Sequence, residues 1–281
     1  MSSAIINGHK LNYEVLRATG VAPDAPRETL VLIHGILIDN LSSYYFTVAP
    51  AFAAAGFDVV MFDHRGHGKS ARIESGYTVD NVVDDLAALL EEIQVVGPVH
   101  LVGNSYGGAI AYSFTLAFPE RVASVTVIEG EHPTENWRSV MKDALDQCLI
   151  ESVKPDFMNK IKDSYGSHGV RLAKVALRIL NTTKIVEELP QSRIVPTDAL
   201  RSIDAPLLAI FGAKSNLAAQ EPLVRSQVKK HRIIMVPDIG HTILQDAAKT
   251  VEVEVIDWVR AHPSVTATSK ASVRLLPEPA V

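Results

Sequence analysis

Gly103-Asn104-Ser105-Tyr106-Gly107 stands between the apolar run Val99-His100-Leu101-Val102 and the stretch Gly108-Ala109-Ile110-Ala111-Tyr112. The first flank reads as a buried strand and the second as a helix. A G-x-S-x-G sequence between a strand and a helix is a nucleophile elbow. The turn is so tight that Ser105 is expected in a strained backbone conformation, with its hydroxyl pushed out above the sheet edge. The flanking glycines are required because a Cβ at 103 or 107 would collide with the neighbouring strand or helix.

Outward from the elbow, strand and helix signals alternate. Residues 29–33 form a buried strand ending at His34-Gly35, and residues 57–62 form another. The loop Asp63-His64-Arg65-Gly66-His67-Gly68-Lys69-Ser70 follows. A helix is expected over 45–55, stopping at Gly56, and apolar residues at 79, 82, 83, 86, 90 and 93 make a helical stripe. Residues 122–128 read as the strand after the elbow helix, and residues 206–212 and 232–236 as two more. A last helix spans about 250–259. At the N-terminus, 4–6 and 11–16 are strands joined through Asn7-Gly8, a strong hairpin signal. Such alternation marks a parallel sheet covered on both faces. Between about 132 and 196 it breaks, leaving helical stretches at 135–150, 155–162 and 170–189.

The chain has 281 residues, enough for one large α/β domain with an insertion. Hydrophobic residues make up 47% and charged residues 21%, the balance of an ordinary globular protein. A net charge of −5 argues against a nucleic-acid partner, and no basic amphipathic stretch points to a membrane surface. Cys148 is the single cysteine, which excludes an internal disulfide and fits a reducing compartment. With no activating motif around it, Cys148 is expected to be a packing residue. Residues 1–30 carry no secretory pattern, so a cytoplasmic location is expected. A homodimer is compatible with the sequence but not dictated by it.

Four landmarks now stand in order: His34-Gly35 after a strand, the 63–70 loop, the elbow at Ser105, and Gly240-His241 after the last strand. In this the chain resembles the capped, esterase-like α/β-hydrolases over roughly residues 5–260. The resemblance implies a mostly parallel eight-stranded sheet with helices on both faces. It divides the chain into a core of residues 1–131 and 197–262, a helical cap at 132–196 and a flexible tail at 263–281.

It also implies a site. Ser105 is a weak nucleophile until a base takes its proton, and His241, following the last strand in a Gly-His pair, is the expected base. Similar hydrolases usually carry the third member, an Asp, a few residues past the strand at 207–211. Here that segment reads Gly212-Ala213-Lys214-Ser215-Asn216, with Ser215 where Asp is expected. A minority of the family, some haloalkane dehalogenases among them, supply the acid from the end of the strand after the elbow helix. That place holds Glu129, giving a Ser105–His241–Glu129 triad with Glu131 as the nearest competitor. Asp238 and Asp246 are expected to shape the His241 loop or cap the helix that follows it.

Oxyanion donors are expected from the backbone N–H groups of Ile36 and Tyr106. Leu37, His132 and Trp137 are expected to touch substrate, His34 to brace the oxyanion loop, and His64 and His67 to organise theirs. No histidine or cysteine spacing resembles a zinc set, so no metal is expected. Gly68-Lys69-Ser70 mimics the end of a phosphate-binding loop, but Asp63 occupies the position of its first glycine. No cofactor is expected.

The expected activity is hydrolysis of an ester or thioester of a small to medium, largely apolar acyl substrate. Two alternatives stand beside it. One is acyl transfer or acyl elimination in small-molecule biosynthesis. The other is a non-catalytic ligand-binding receptor on the same fold.

Overall fold

Apolar runs of five to seven residues, too short for helices and rich in Val, Ile and Leu, build the centre of the molecule. The computed structural model describes residues 2–22 and 25–264. Eight strands form one sheet: β1 (Ser2–Ile6), β2 (His9–Leu16), β3 (Thr29–Ile33), β4 (Asp58–Phe62), β5 (Val99–Asn104), β6 (Val122–Ile128), β7 (Leu207–Gly212) and β8 (His231–Val236). Their spatial order is β1-β2-β4-β3-β5-β6-β7-β8. β1 and β2 form the antiparallel hairpin expected at Asn7-Gly8, where both turn residues have positive φ (48° and 83°). β2 pairs antiparallel with β4, and every pairing from β4 to β8 is parallel.

Side chains alternate across this sheet, which divides the core in two. Val31 and Ile33 face one layer, with Leu86 and Leu90 of the helix Val79–Glu92 and Ala109 and Ile110 of the helix Tyr106–Ala117. Leu30 and Leu32 face the other, with Phe52 of the helix Ala49–Ala54 and Val251, Val255 and Trp258 of the helix Ala248–Ala261. Burial on both faces explains why β3 to β7 read as continuous apolar runs and not as alternating ones.

No strand lies between β6 and β7 in sequence. Instead the chain forms helices Glu135–Ser152, Phe157–Thr182 and Ile185–Glu188. Two boundaries differ from the sequence reading. The helices expected at 155–162 and 170–189 lie within Phe157–Thr182 as two helices that meet at a kink, where Gly166 takes φ 65° and ψ −166°, and the second ends seven residues early. The helix expected over 45–55 is instead Ser42–Tyr45 and Ala49–Ala54, because Pro50 fits only the first turn of a helix. Cys148 is exposed on the outer side of Glu135–Ser152, not packed as expected. Glu188 ties the helical block to the core, accepting the N–H groups of Gly76 and Tyr77 at 2.6 and 2.8 Å. Residues 265–281 of the expected tail lie outside the described residues.

Candidate active site

The C-terminal ends of the parallel strands converge on one edge, and a loop leaves each carrying a polar residue. The elbow follows β5. Ser105 has φ 54° and ψ −117°, a region that L-residues adopt only when the surroundings enforce it. The enforcement is packing: a Cβ on Gly103 would meet the carbonyl oxygen of Gly107 at 2.2 Å, and one on Gly107 would meet that of Ile33 at 2.0 Å. The helix Tyr106–Ala117 thus sits hard against the sheet, and the Ser105 side chain turns away from both.

β6 ends at Ile128, and Glu129 turns sharply there with φ 49°. Its carboxylate is fully buried, a costly place for a charge unless its lone pairs are satisfied. One oxygen, Oε1, accepts the backbone N–H of Gly212 at 2.5 Å. The other accepts the Ser215 hydroxyl and Nδ1–H of His241, the latter at 3.0 Å. On its far side, Nε2 of His241 accepts the Ser105 hydroxyl at 3.0 Å. The three residues come from three separate loops, 24 and 112 positions apart, and form one continuous hydrogen-bonded chain. Such a chain can draw the proton from a serine hydroxyl and hold the resulting imidazolium beside a carboxylate.

Sequence reasoning missed the part played by Ser215. It occupies the place of the expected Asp and donates to the acid that replaces it. A Gly212 Cβ would lie 2.3 Å from the Gly240 carbonyl, so the close approach of β7 to the histidine loop depends on a glycine. Asp238 pairs with Lys214 at 2.9 Å and Asp246 accepts from the Thr242 hydroxyl, so both shape the histidine loop.

Ile36 lies on the loop after β3, beside the elbow. Tyr106 opens its helix, so its N–H has no partner within that helix. The Ile36 loop is held from below by imidazoles. Leu37, with φ 60°, donates its N–H to Nε2 of His67 at 2.9 Å, and Nδ1–H of His67 donates to the Arg65 carbonyl at 2.9 Å. His34 stacks on His64 with ring centroids 3.7 Å apart. Nε2–H of His64 donates to the His34 carbonyl at 2.9 Å, and His34 Nε2 accepts the His64 backbone N–H at 3.1 Å. Burial holds all three well below the usual imidazole range, His67 at about 4, which keeps Nε2 of His67 free to accept. The carboxylate of Asp39 adds a bond from the Gly35 N–H at 2.7 Å. Lys69 of the apparent phosphate loop donates its backbone N–H to Asp63, a brace within the loop.

A cleft of about 430 Å³ opens over Ser105 and His241. Ile36, Tyr106, Trp137, Val140, Met141 and Leu217 give it an apolar wall, and Glu131, Lys214 and Asn216 add polar points. Trp137 therefore stands where substrate contact was expected. His132 is buried with its ring against Tyr112 and does not line the cleft, because the chain turns inward before the helix Glu135–Ser152. Leu37 is also absent from the wall, its backbone being turned onto His67. Among the described residues no cluster of His, Cys, Asp or Glu could hold a metal ion, and no helix is long and apolar enough to cross a membrane.

A family profile for the alpha/beta hydrolase fold matches residues 28–247. The chain belongs to the α/β-hydrolase family. A bifunctional esterase/perhydrolase of Acinetobacter calcoaceticus is 25% identical to this hydrolase over 233 residues, covering 75% of this chain and 84% of the relative. The dihydrolipoyllysine-residue acetyltransferase component of the acetoin cleaving system of Pseudomonas putida is 26% identical over 271 residues, covering 92% and 69%. Among solved structures, a thermophilic esterase from Thermogutta terrifontis superposes with a TM-score of 0.69 at 19% identity, covering 93% of this chain and 99% of that one. The family and its sheet are those expected from the sequence, and the protein is an enzyme of this fold.

Proposed function

We propose that this α/β-hydrolase is a serine esterase or thioesterase with Ser105 as nucleophile, His241 as general base and acid, and Glu129 as the residue that orients His241. The observation that carries the reading is the unbroken Glu129–His241–Ser105 hydrogen-bonded chain opening onto an apolar-walled cleft. Ser105 Oγ attacks the acyl carbonyl while Nε2 of His241 takes its proton, and Nδ1–H stays on Glu129. The developing oxyanion is held by the N–H groups of Ile36 and Tyr106. Collapse expels the alcohol or thiol, which leaves with the proton from His241. Water then repeats the sequence on the acyl-enzyme and frees the acid.

The cleft volume falls at the small end of the range for ligand pockets, roughly 300–1,000 Å³. That size and the apolar wall favour a small to medium acyl group. The helices between Glu135 and Glu188 act as a cap, contributing Trp137, Val140 and Met141 to the wall. The His241 side chain is 53% exposed, so water reaches the base, which favours hydrolysis over acyl transfer or elimination.

The test is labelling by a fluorophosphonate probe with mapping of the modified peptide, alongside turnover of p-nitrophenyl esters and acyl thioesters. Labelling at Ser105 and its loss, together with turnover, in a folded Ser105→Ala variant is the expected result. Retained activity in that variant overturns the assignment.

A further inference from the structure

Glu131 is the acidic group on the cleft wall that the hydrogen-bonded chain does not use. It lies two residues past Glu129, on the connection to the helical block. Its Oε2 accepts a neutral donor, the Gln220 side-chain amide at 2.6 Å. Its Oε1 accepts no hydrogen bond from the described residues, and no cationic side chain among them stands within ion-pair distance. Burial raises this carboxyl above its usual range. The cation on the cleft wall, Lys214, is drawn off by Asp238 at 2.9 Å. Glu129 is different: three donors, the Gly212 N–H, the Ser215 hydroxyl and the His241 ring N–H, meet its two oxygens. Glu131 is therefore a cleft carboxylate with an open oxygen and no ion-pair partner among the described residues, set beside the apolar groups Trp137, Met141, Val140 and Leu217.

A half-buried carboxylate beside apolar surface is destabilised by the water it has lost and regains that energy when a cation enters. A hydrated, compact cation would have to shed its own water to do so. An alkylated ammonium group sheds little, and its apolar rim suits thioether and aromatic walls, the indole being the best of the aromatic partners for a cation. We propose that Glu131, with Trp137, receives an alkylammonium group of the substrate, so that the ester preferred by this enzyme carries a positive charge. This rests on the serine-hydrolase reading of Ser105 for its reaction, but not for its binding.

The test uses isosteric pairs in which only the charge changes. On the acyl side, p-nitrophenyl 5-(trimethylammonio)pentanoate is compared with p-nitrophenyl 6,6-dimethylheptanoate. On the alcohol side, choline hexanoate is compared with 3,3-dimethylbutyl hexanoate. The wild-type enzyme is expected to favour the cationic member of one pair by about tenfold in kcat/KM, the size of a partly desolvated cation contact. The ratio should fall to about one in Glu131→Gln and survive in part in Glu131→Asp. Because each ratio is taken within one preparation, loss of folded protein does not alter it. Equal kcat/KM within both pairs, or an unchanged ratio in Glu131→Gln, overturns the proposal.

A second measurement needs no turnover: calorimetric binding of hexyltrimethylammonium to Ser105→Ala and to Ser105→Ala/Glu131→Gln. Weakening of about tenfold in the double variant supports the cation site even if fluorophosphonate fails to label Ser105. Equal binding by the two variants refutes the site even where labelling succeeds.

Discussion

Lowering the pH from 7 to 4 sets a proton in competition with the Leu37 N–H for Nε2 of His67. The folded protein holds this imidazole at about 4, against 6.5 for an unperturbed one, because burial disfavours the charged form and Arg72 adds repulsion. Asp39 and the bond to the Arg65 carbonyl act in the opposite direction, with less effect. Above pH 6.5 the ring is neutral in both folded and unfolded chains, and stability does not depend on it. As the pH falls from 6.5 towards 4 the unfolded chain takes up a proton that the folded chain refuses, so stability drops. Below 4 both states are protonated and the loss levels off. At about 1.4 kcal/mol per pH unit, the span from 6.5 to about 4 amounts to roughly 3 kcal/mol from this one residue. His67→Gln removes the titration while leaving an amide able to accept from Leu37 and donate to Arg65. Urea unfolding at stepped pH is the assay. Between pH 7 and 4 the wild type should lose about 3 kcal/mol more than the variant, and the repulsion that His67 exerts on His34 and His64, absent from the variant, acts in the same direction. Parallel stability curves for the two proteins would refute the argument.

The remaining expectations concern the hydrogen-bonded chain. Glu129→Gln should lower kcat by roughly two to four orders of magnitude, since the imidazolium loses its carboxylate. Ser215→Ala, which removes one donor to that carboxylate, should lower kcat by about tenfold or less and leave KM unchanged in ester assays. The reverse ranking would reassign the acid. Ser105→Gly should abolish activity yet raise the thermal midpoint, because glycine relieves a positive-φ conformation worth about 1–3 kcal/mol. A variant melting below the wild type would show that no strain resides at the elbow.

What the sequence disclosed follows from how local each feature is. The elbow is written within five adjacent residues, since its two glycines and its serine are all required by one turn. The central strands were legible because burial on both faces makes them predominantly apolar, as in Leu-Val-Leu-Ile at 30–33. Helix ends were less so: the two helices expected at 155–162 and 170–189 meet at one kinked residue, Gly166, and not across the longer gap between them. Pro50 was a usable signal for the break between the two short helices. Glu129 emerged from the missing Asp at 215 together with the family resemblance. The bond that Ser215 makes to it spans 86 positions, and that from Leu37 to His67 spans 30, so no local pattern encodes either. His132 shows the converse. It was expected at the substrate, but one inward turn buried its ring.

Gly130 separates the two glutamates, and its setting decides how they respond to motion. A Cβ there would meet the Ser105 carbonyl at 2.8 Å and the Gly108 Cα at 3.1 Å, so the backbone is pinched between elbow and helix immediately after Glu129. The pinch serves as a mechanical anchor. Everything upstream of it, including the acid, is fixed to the sheet. Downstream, Glu131, Trp137 and the helices beyond are held by contacts of their own, Glu131 by Gln220 and the helical block by Glu188 on the Gly76 and Tyr77 N–H groups. Displacement or mutation of the helical block can therefore reshape the cleft wall without dragging on the carboxylate beneath His241, so selectivity can diverge between descendants while the proton relay stays in register.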